Sequence, residues 1–278
     1  MRRNVMAFSL AAVLAMPIVP LHASELPIFD AHVHYSHDAW TTVPPAEAIA
    51  ILRKAGVTRA LVSSSGDDGT HRMALLAPDL ILPSLRPYRT RGELSTWLRD
   101  DTVVPYLEDR LRRYNYVAIG EFHVFGADAD LPNVRRAVEL AKRHGLVVHA
   151  HGDADAIERL FRHDPGARIL WAHAGFERPE TVRQMLRRYP TLWSDLAFRS
   201  DHGSGGKVDA AWRAAFDEFP DRFMVGTDTF TAERWHYVGE HAKWSRAWLA
   251  DLPKPLAERI AHRNGEKLFA DAIAKRGS

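Results

Sequence analysis

The strongest constraint on how this chain can fold is an alternation that begins near residue 27 and does not stop. Short runs dense in branched and apolar residues occupy 27–35, 58–65, 80–88, 116–124, 146–151, 168–175, 191–198 and 222–229, with the length and composition of β-strands. Helical periodicity fills the gaps at 46–54, 69–76, 94–113, 134–144, 154–162, 180–188 and 208–218, and two further helical stretches, 232–250 and 255–270, follow the last run. Gly56 and Gly145 stand just past two of these patterns, where a helix ends in a left-handed turn. Strict strand-helix alternation implies parallel strands joined by right-handed crossovers. Eight repeats in about 250 residues is the count at which such a sheet closes into a (β/α)8 TIM barrel. An open doubly wound sheet is the rival, but no GxGxxG follows an early strand and no GxxxxGKS/T occurs. GSGG at 203–206 reads as a flexible loop.

The segment ahead of the alternation is a separate matter. Arg2 and Arg3 precede an uncharged run, 5–21, that ends at the small residues Ala23 and Ser24, the pattern of a secretory signal peptide. A retained anchor is the rival reading, although Pro17 and Pro20 interrupt the run and it is short for a membrane span. The expectation is therefore a signal at 1–23, a single barrel domain at 24–278, and an exported protein, periplasmic or secreted, with no stable membrane insertion after signal removal. Loss of 1–23 takes two basic and no acidic residues, leaving 35 Lys+Arg against 35 Asp+Glu. Without a basic excess, nucleic acid and anionic membrane surfaces are not expected partners. Cysteine is absent, so the fold has no disulfide and any metal must be held by nitrogen and oxygen.

In a barrel of this kind the chemistry sits at the C-terminal ends of the strands. Strand one ends FDAHVHY, where His32 and His34 share a face roughly 6.6 Å apart along the chain, with Asp30 expected one step deeper on that face. Strand three ends in Arg86, strand four in Glu121 and His123, strand five in His149 and His151, strand six in His173, strand seven in Asp195 and Arg199, and strand eight in Asp228. Nine of the fifteen histidines (32, 34, 37, 71, 123, 149, 151, 173 and 202) lie at or just past a strand end. Taken singly each has a plain explanation: His173 as a hydrogen-bonded core residue, Asp228 as a helix cap, Arg86 and Arg199 as partners in ion pairs. Gathered at one mouth, imidazoles and carboxylates satisfy one another only through a cation.

The order HxH, Glu, His, His, Asp on strands one, four, five, six and eight resembles the amidohydrolase superfamily, in its amidohydrolase-related (type 2) branch. The resemblance runs from about residue 27 to 269 and includes a closing RNGEKLF at 263–269. It implies a metal-dependent hydrolase of small molecules, in which a hydroxide generated on one or two divalent ions, zinc ahead of manganese or iron, cleaves an amide, ester or lactone. Carried over residue by residue, it implies His32, His34, His173 and Asp228 as metal ligands, with Asp228 also handling the proton. Glu121 falls where some branches place a carboxylate that bridges two metals. On strand five His149 is the favoured ligand, with His151 expected to orient a ligand or touch substrate. His123 is extra and leaves the metal count open. Arg86 and Arg199 are expected to grasp a substrate oxygen, and Asp195 to orient Arg199 or a ligand histidine. Two other readings stay open: a nonoxidative decarboxylase on the same constellation, which would seat a substrate carboxylate against Arg86, and a non-catalytic metal- or ligand-binding barrel.

Overall fold

The computed structural model describes residues 25–277; the expected signal at 1–23 lies outside the described residues. All eight apolar runs become strands of one parallel sheet: β1 (Ile28–His34), β2 (Val57–Ser63), β3 (Ile81–Leu85), β4 (Ala118–His123), β5 (Val147–His151), β6 (Ile169–Trp171), β7 (Leu192–Asp195) and, after a short ribbon of β8 (Gly203–Ser204) and β9 (Lys207–Val208), β10 (Phe223–Met224). Pairing runs β1-β2-β3-β4-β5-β6-β7-β10. Across the seam between the first and last barrel strands, Ala31 N donates to Val225 O at 3.0 Å and Asp228 N to His32 O at 2.7 Å. The result is a nearly closed barrel of eight parallel strands with helices between them.

The helices form where one face can be buried. Asp153 caps the helix Ala154–His163 by accepting from Ala156 N at 2.8 Å, and Ile157, Leu160 and Phe161 turn inward. The helix Pro132–His144 ends at Gly145, left-handed at φ 66 as expected. One apolar core lies between sheet and helices. A second fills the barrel below the mouth with Phe29, Leu61, Leu82, Val147, Leu170 and Met224, and is closed beneath by Leu268 and Phe269. Phe29 and Phe269 stack at 5.8 Å, and Gly265 leaves room for the Phe29 ring. The closing RNGEKLF is thus the floor of the barrel.

Several elements differ from their sequence patterns. The stretch 94–113 is not one helix: short 3-10 turns at Arg91–Glu93 and Thr96–Arg99 precede a helix that starts at Val103. There Asp100 accepts from both Thr102 N and Thr102 Oγ1, a local alternative to helical bonding. The stretch 232–250 likewise opens as a 3-10 turn before the helix Val238–Leu249, and 255–270 contains a π-helical turn at Arg259–Arg263. GSGG, expected as a flexible loop, is the tight turn of the β8-β9 ribbon, with Gly205 and Gly206 both left-handed.

Candidate metal centre

Two local slips in strand register build the site. The β1-β2 pairing shifts between Asp30 and Val33, and the β4-β5 pairing between Gly120 and Phe122; bulges of this kind re-aim side chains. Asp30 leaves the face on which it was expected. Its carboxylate accepts from His32 N at 3.1 Å, Thr227 N at 3.0 Å and Thr227 Oγ1 at 2.7 Å, which places it in the seam. Burial raises its pKa to about 6 against the opposing hydrogen bonds. His32 and His34 remain together and buried, with their Nε2 atoms 3.1 Å apart.

Two carboxylates and two further imidazoles stand around that pair. Glu121 Oε2 lies 3.2 Å from His34 Nε2 and 3.6 Å from His32 Nε2. Asp228 Oδ1 lies 3.3 and 3.8 Å from the same atoms. Glu121 Oε1 faces the other way, 2.9 Å from His151 Nδ1 and 3.6 Å from His173 Nε2. Ligand atoms on a tetrahedral zinc with bonds near 2.1 Å stand about 3.4 Å apart. The spacing therefore suits a divalent cation on either side of the Glu121 carboxylate.

The outer nitrogens fix which lone pairs face inward. Asp195, wholly buried at the end of β7, stands 3.2 Å from His32 Nδ1, and His173 Nδ1 stands 2.7 Å from Ala197 O. Both acceptors hold the ring proton on Nδ1 and leave Nε2 free to ligate. Burial works against a charged His32, but Asp195, Glu121 and Asp228 around it outweigh burial and hold its pKa well above the ordinary value. Burial likewise opposes ionisation of Asp228, yet His32 and His34 bring its pKa down to about 2. A field that favours a proton on His32 favours a divalent cation in the same place.

The remaining expected residues divide. Of the two partners expected for Asp195, a histidine of the cluster and Arg199, it faces the first, His32, while Arg199 pairs with Asp201. His149, the favoured strand-five ligand, stands at the Nδ1 side of His32: its Nε2 lies 3.2 Å from Asp195 Oδ2, so that His32, His149 and Asp195 form a group that could itself hold a cation, and burial lowers its pKa to about 4. His151 takes the place beside Glu121, and His123 lies against it with ring centroids 4.3 Å apart. Arg86 reaches the site but is already paired, Nη2 to Glu121 Oε2 at 3.1 Å and Nε to Glu121 O at 3.0 Å. Arg199, expected to grasp a substrate oxygen, is committed to the backbone: Nη1 donates to His173 O at 3.0 Å, Nη2 to Glu177 O at 2.9 Å, and Nε to Asp201 at 2.9 Å. Of the nine strand-end histidines, His71 pairs with Asp67 and Tyr116, and His202 is boxed by Trp212, Trp244 and Trp248; neither joins the site.

Some site residues were not singled out from the sequence. Ser63, 2.9 Å from His34 Nδ1, ends its own strand, so the strand-end rule that found the histidines reaches it too. Tyr88, whose hydroxyl accepts from His123 N at 2.6 Å, and Phe176, Phe198 and Phe230, which wall the cavity above, carry no such signal, because an aromatic after a strand reads equally as core.

The family model described as Amidohydrolase matches residues 90–270, well over half of the chain. The chain belongs to the amidohydrolase family. Among solved structures, this amidohydrolase is similar to a probable 2-pyrone-4,6-dicarboxylic acid hydrolase from Acinetobacter baumannii, with TM-score 0.57, 13% identity and coverage of 87% of this chain and 99% of that one. It is also similar to a β-aspartyl dipeptidase from Fervidobacterium islandicum, with TM-score 0.58, 15% identity and coverage of 88% and 72%. Both likenesses are of fold. A sequence likeness of 26% over 185 residues to the chromosomal replication initiator protein DnaA of Leptothrix cholodnii covers 65% of this chain and 33% of that protein, so the chain spans about a third of the length of that curated relative.

Proposed function

We propose that this amidohydrolase is an exported, metal-dependent hydrolase that cleaves an amide, ester or lactone of a small molecule. The observation that carries the reading is the Glu121 carboxylate, with one oxygen among His32, His34 and Asp228 and the other between His151 and His173. In it, His32, His34, His173 and Asp228 would hold one divalent cation, zinc before manganese or iron, and Glu121 and His151 would hold a second. When bound, such a cation supplies Lewis acidity and lowers the pKa of water toward about 7. Asp228 takes the proton of the attacking water and returns it to the leaving group. Asp195 and Ala197 O keep His32 and His173 in the ligating tautomer, and His123 hydrogen-bonds the substrate from the rim. The pairing of Arg86 with Glu121 favours hydrolysis over decarboxylation, because no unpaired guanidinium waits there for a substrate carboxylate. Both solved relatives named above carry hydrolase names, which agrees with the reaction class. The export part rests on the 1–23 pattern and is checked by the N-terminus of soluble protein from the native host; an intact Met1 overturns it.

The chemical part is tested by metal content and turnover on the same samples. His151→Ala should lose metal that His149→Ala retains; the reverse result restores the strand-five assignment to His149. Asp228→Asn should keep the fold and lose about a hundredfold to ten-thousandfold in turnover on a panel of amides, esters and lactones. Turnover within about threefold of wild type at equal metal occupancy would move the proton-transfer role to another group.

A further inference from the structure

The cavity above the metal cluster is small, about 240 Å³, and its upper wall is apolar. That is just under the roughly 300–1,000 Å³ of small-molecule pockets in general, room for one ring and a carbonyl group. Four phenylalanines, each from the loop after a different strand, stand about its mouth: Phe125 after β4, which packs against His151 outside the lining, and Phe176 after β6, Phe198 after β7 and Phe230 after β10, which line it. They stand 52%, 50%, 52% and 39% exposed. Three of them follow one another edge to face, Phe176 to Phe198 at 6.5 Å and 84°, and Phe198 to Phe230 at 5.6 Å and 82°. Phe125 stands 5.8 Å from His151.

Exposure alone would not make these a site, but two of the four are also held at a cost. Phe176 and Phe198 have φ of 53 and 55, a left-handed conformation that bulky residues avoid. Residues strained for packing would be buried, and these are not. Two arginines hold them in place. Arg199 bonds the carbonyls of His173 and Glu177 on either side of Phe176. Arg234 lies 4.8 Å from the Phe198 ring and 5.0 Å from the Phe230 ring while donating to Asp228 O and Thr227 O. At the cavity itself Arg86 is paired with Glu121 and Arg91 with Asp38.

We propose that this collar selects the substrate: a compact, uncharged amide, ester or lactone whose side group is a single aromatic ring, clasped by Phe176, Phe198 and Phe230 while its carbonyl meets the metal cluster. Edge-to-face rings accept a further ring in the same geometry. Among the described residues, both arginines that line the cavity are engaged, Arg86 with Glu121 and Arg91 with Asp38, so neither is free for an acidic group of the substrate. Arg199 and Arg234 are positioning residues that hold the collar open. The proposal rests on the hydrolase reading for its reactive carbonyl, and the test separates the two.

The test has a binding arm that needs no turnover. On zinc-loaded protein, phenylacetohydroxamate should bind at least about tenfold more tightly than acetohydroxamate. Phe198→Ala and Phe230→Ala should each reduce that ratio toward about threefold or less, and Phe198→Leu, which keeps an apolar side chain, should fall between. Equal affinity in wild type, or a ratio untouched by both alanine changes, overturns the collar; failure of both hydroxamates to bind overturns the metal reading on which the collar rests, and the proposal with it. In the turnover arm, methyl phenylacetate should exceed methyl acetate, and phenylacetamide should exceed acetamide, in kcat/KM, the leaving group being the same within each pair. A hydroxamate preference with no turnover of any pair rejects hydrolysis and leaves the collar standing. Turnover without a ring preference in either arm does the opposite.

Discussion

Asp195 makes four buried contacts with two oxygens, and two substitutions can take them apart. Oδ2 faces His32 Nδ1 and His149 Nε2, each at 3.2 Å, while Oδ1 accepts from His173 N at 3.0 Å and Ala197 N at 3.1 Å. Asp195→Asn can keep its Oδ1 bonds but turns an amide donor toward His32. The proton on that ring then moves to Nε2, and the lone pair aimed at the cation is lost. Loss of such an orienting partner lowers metal affinity about ten- to a hundredfold, or roughly 1.4 to 2.8 kcal/mol. Asp195→Ala removes the acceptor for both backbone N–H groups as well. Each buried N–H left unpaired costs about 1–3 kcal/mol, so the alanine variant should be less stable than the asparagine variant by roughly 2–6 kcal/mol. Urea unfolding of metal-stripped protein measures the second quantity, and chelator competition measures the first. If Asn holds metal within about threefold of wild type, Asp195 does not set the His32 tautomer. If Ala and Asn unfold at the same urea concentration, the Oδ1 bonds carry none of the stability assigned to them.

His202 is buried among three tryptophans with neither ring nitrogen bonded among the described residues, so His202→Phe should raise stability by up to about 1–3 kcal/mol in thermal unfolding; a lowered Tm would show that a nitrogen has a partner after all. A Cβ on Gly265 would stand 2.4 Å from the Phe29 ring, so Gly265→Ala should cost about 1–3 kcal/mol on the same assay, and an unchanged Tm would mean that the floor yields freely. Burial alone would raise the pKa of Asp67, but hydrogen bonds from His71, Tyr116 and Arg110 outweigh it and bring it below the ordinary value. A carboxylate depressed in the folded state stabilises above its unfolded pKa near 4 and loses that contribution as pH falls through the folded value. The stability difference between wild type and Asp67→Asn should therefore be full above about pH 4 and shrink below it, and a difference that grows on acidification would reverse the sign.

The strands were legible because their signal is long and repeated: each apolar run became a strand, and the helices fell between them. Their ends were less so. His173, Ala174, Phe176, Phe198 and Asp228 all take left-handed backbone at the mouth, and no local preference of His, Ala or Phe announces it. Parity counting found His32 and His34 together but misplaced Asp30, because a bulge adds a residue that an alternation rule does not see. The same rule could not order His149 and His151, which share a face and differ only in depth. Arg199 looked like a substrate contact since a strand-end arginine is indistinguishable, as a letter, from one bonded to carbonyls of the neighbouring loop. The tertiary partners are what distinguish such residues, and the sequence does not name them: Asp195 for His149, Glu121 for His151, Asp201 for Arg199.

The seam of the barrel sets an order of events. His34 N bonds Thr229 Oγ1 at 3.0 Å and Thr229 Oγ1 bonds His34 O at 2.8 Å, across 195 positions of sequence. His32 and Asp228 meet over the same joint, while Phe269 closes the floor against Phe29. A growing chain thus carries its HxH pair for most of its synthesis with nothing to complete it. Up to the emergence of residue 229, the two imidazoles belong to an open sheet edge; after it, the last strand supplies both the closing bonds and Asp228. Closing the sheet and bringing Asp228 to the HxH pair are one step, so a chain cut short before that strand would lack a closed barrel and a candidate metal site together.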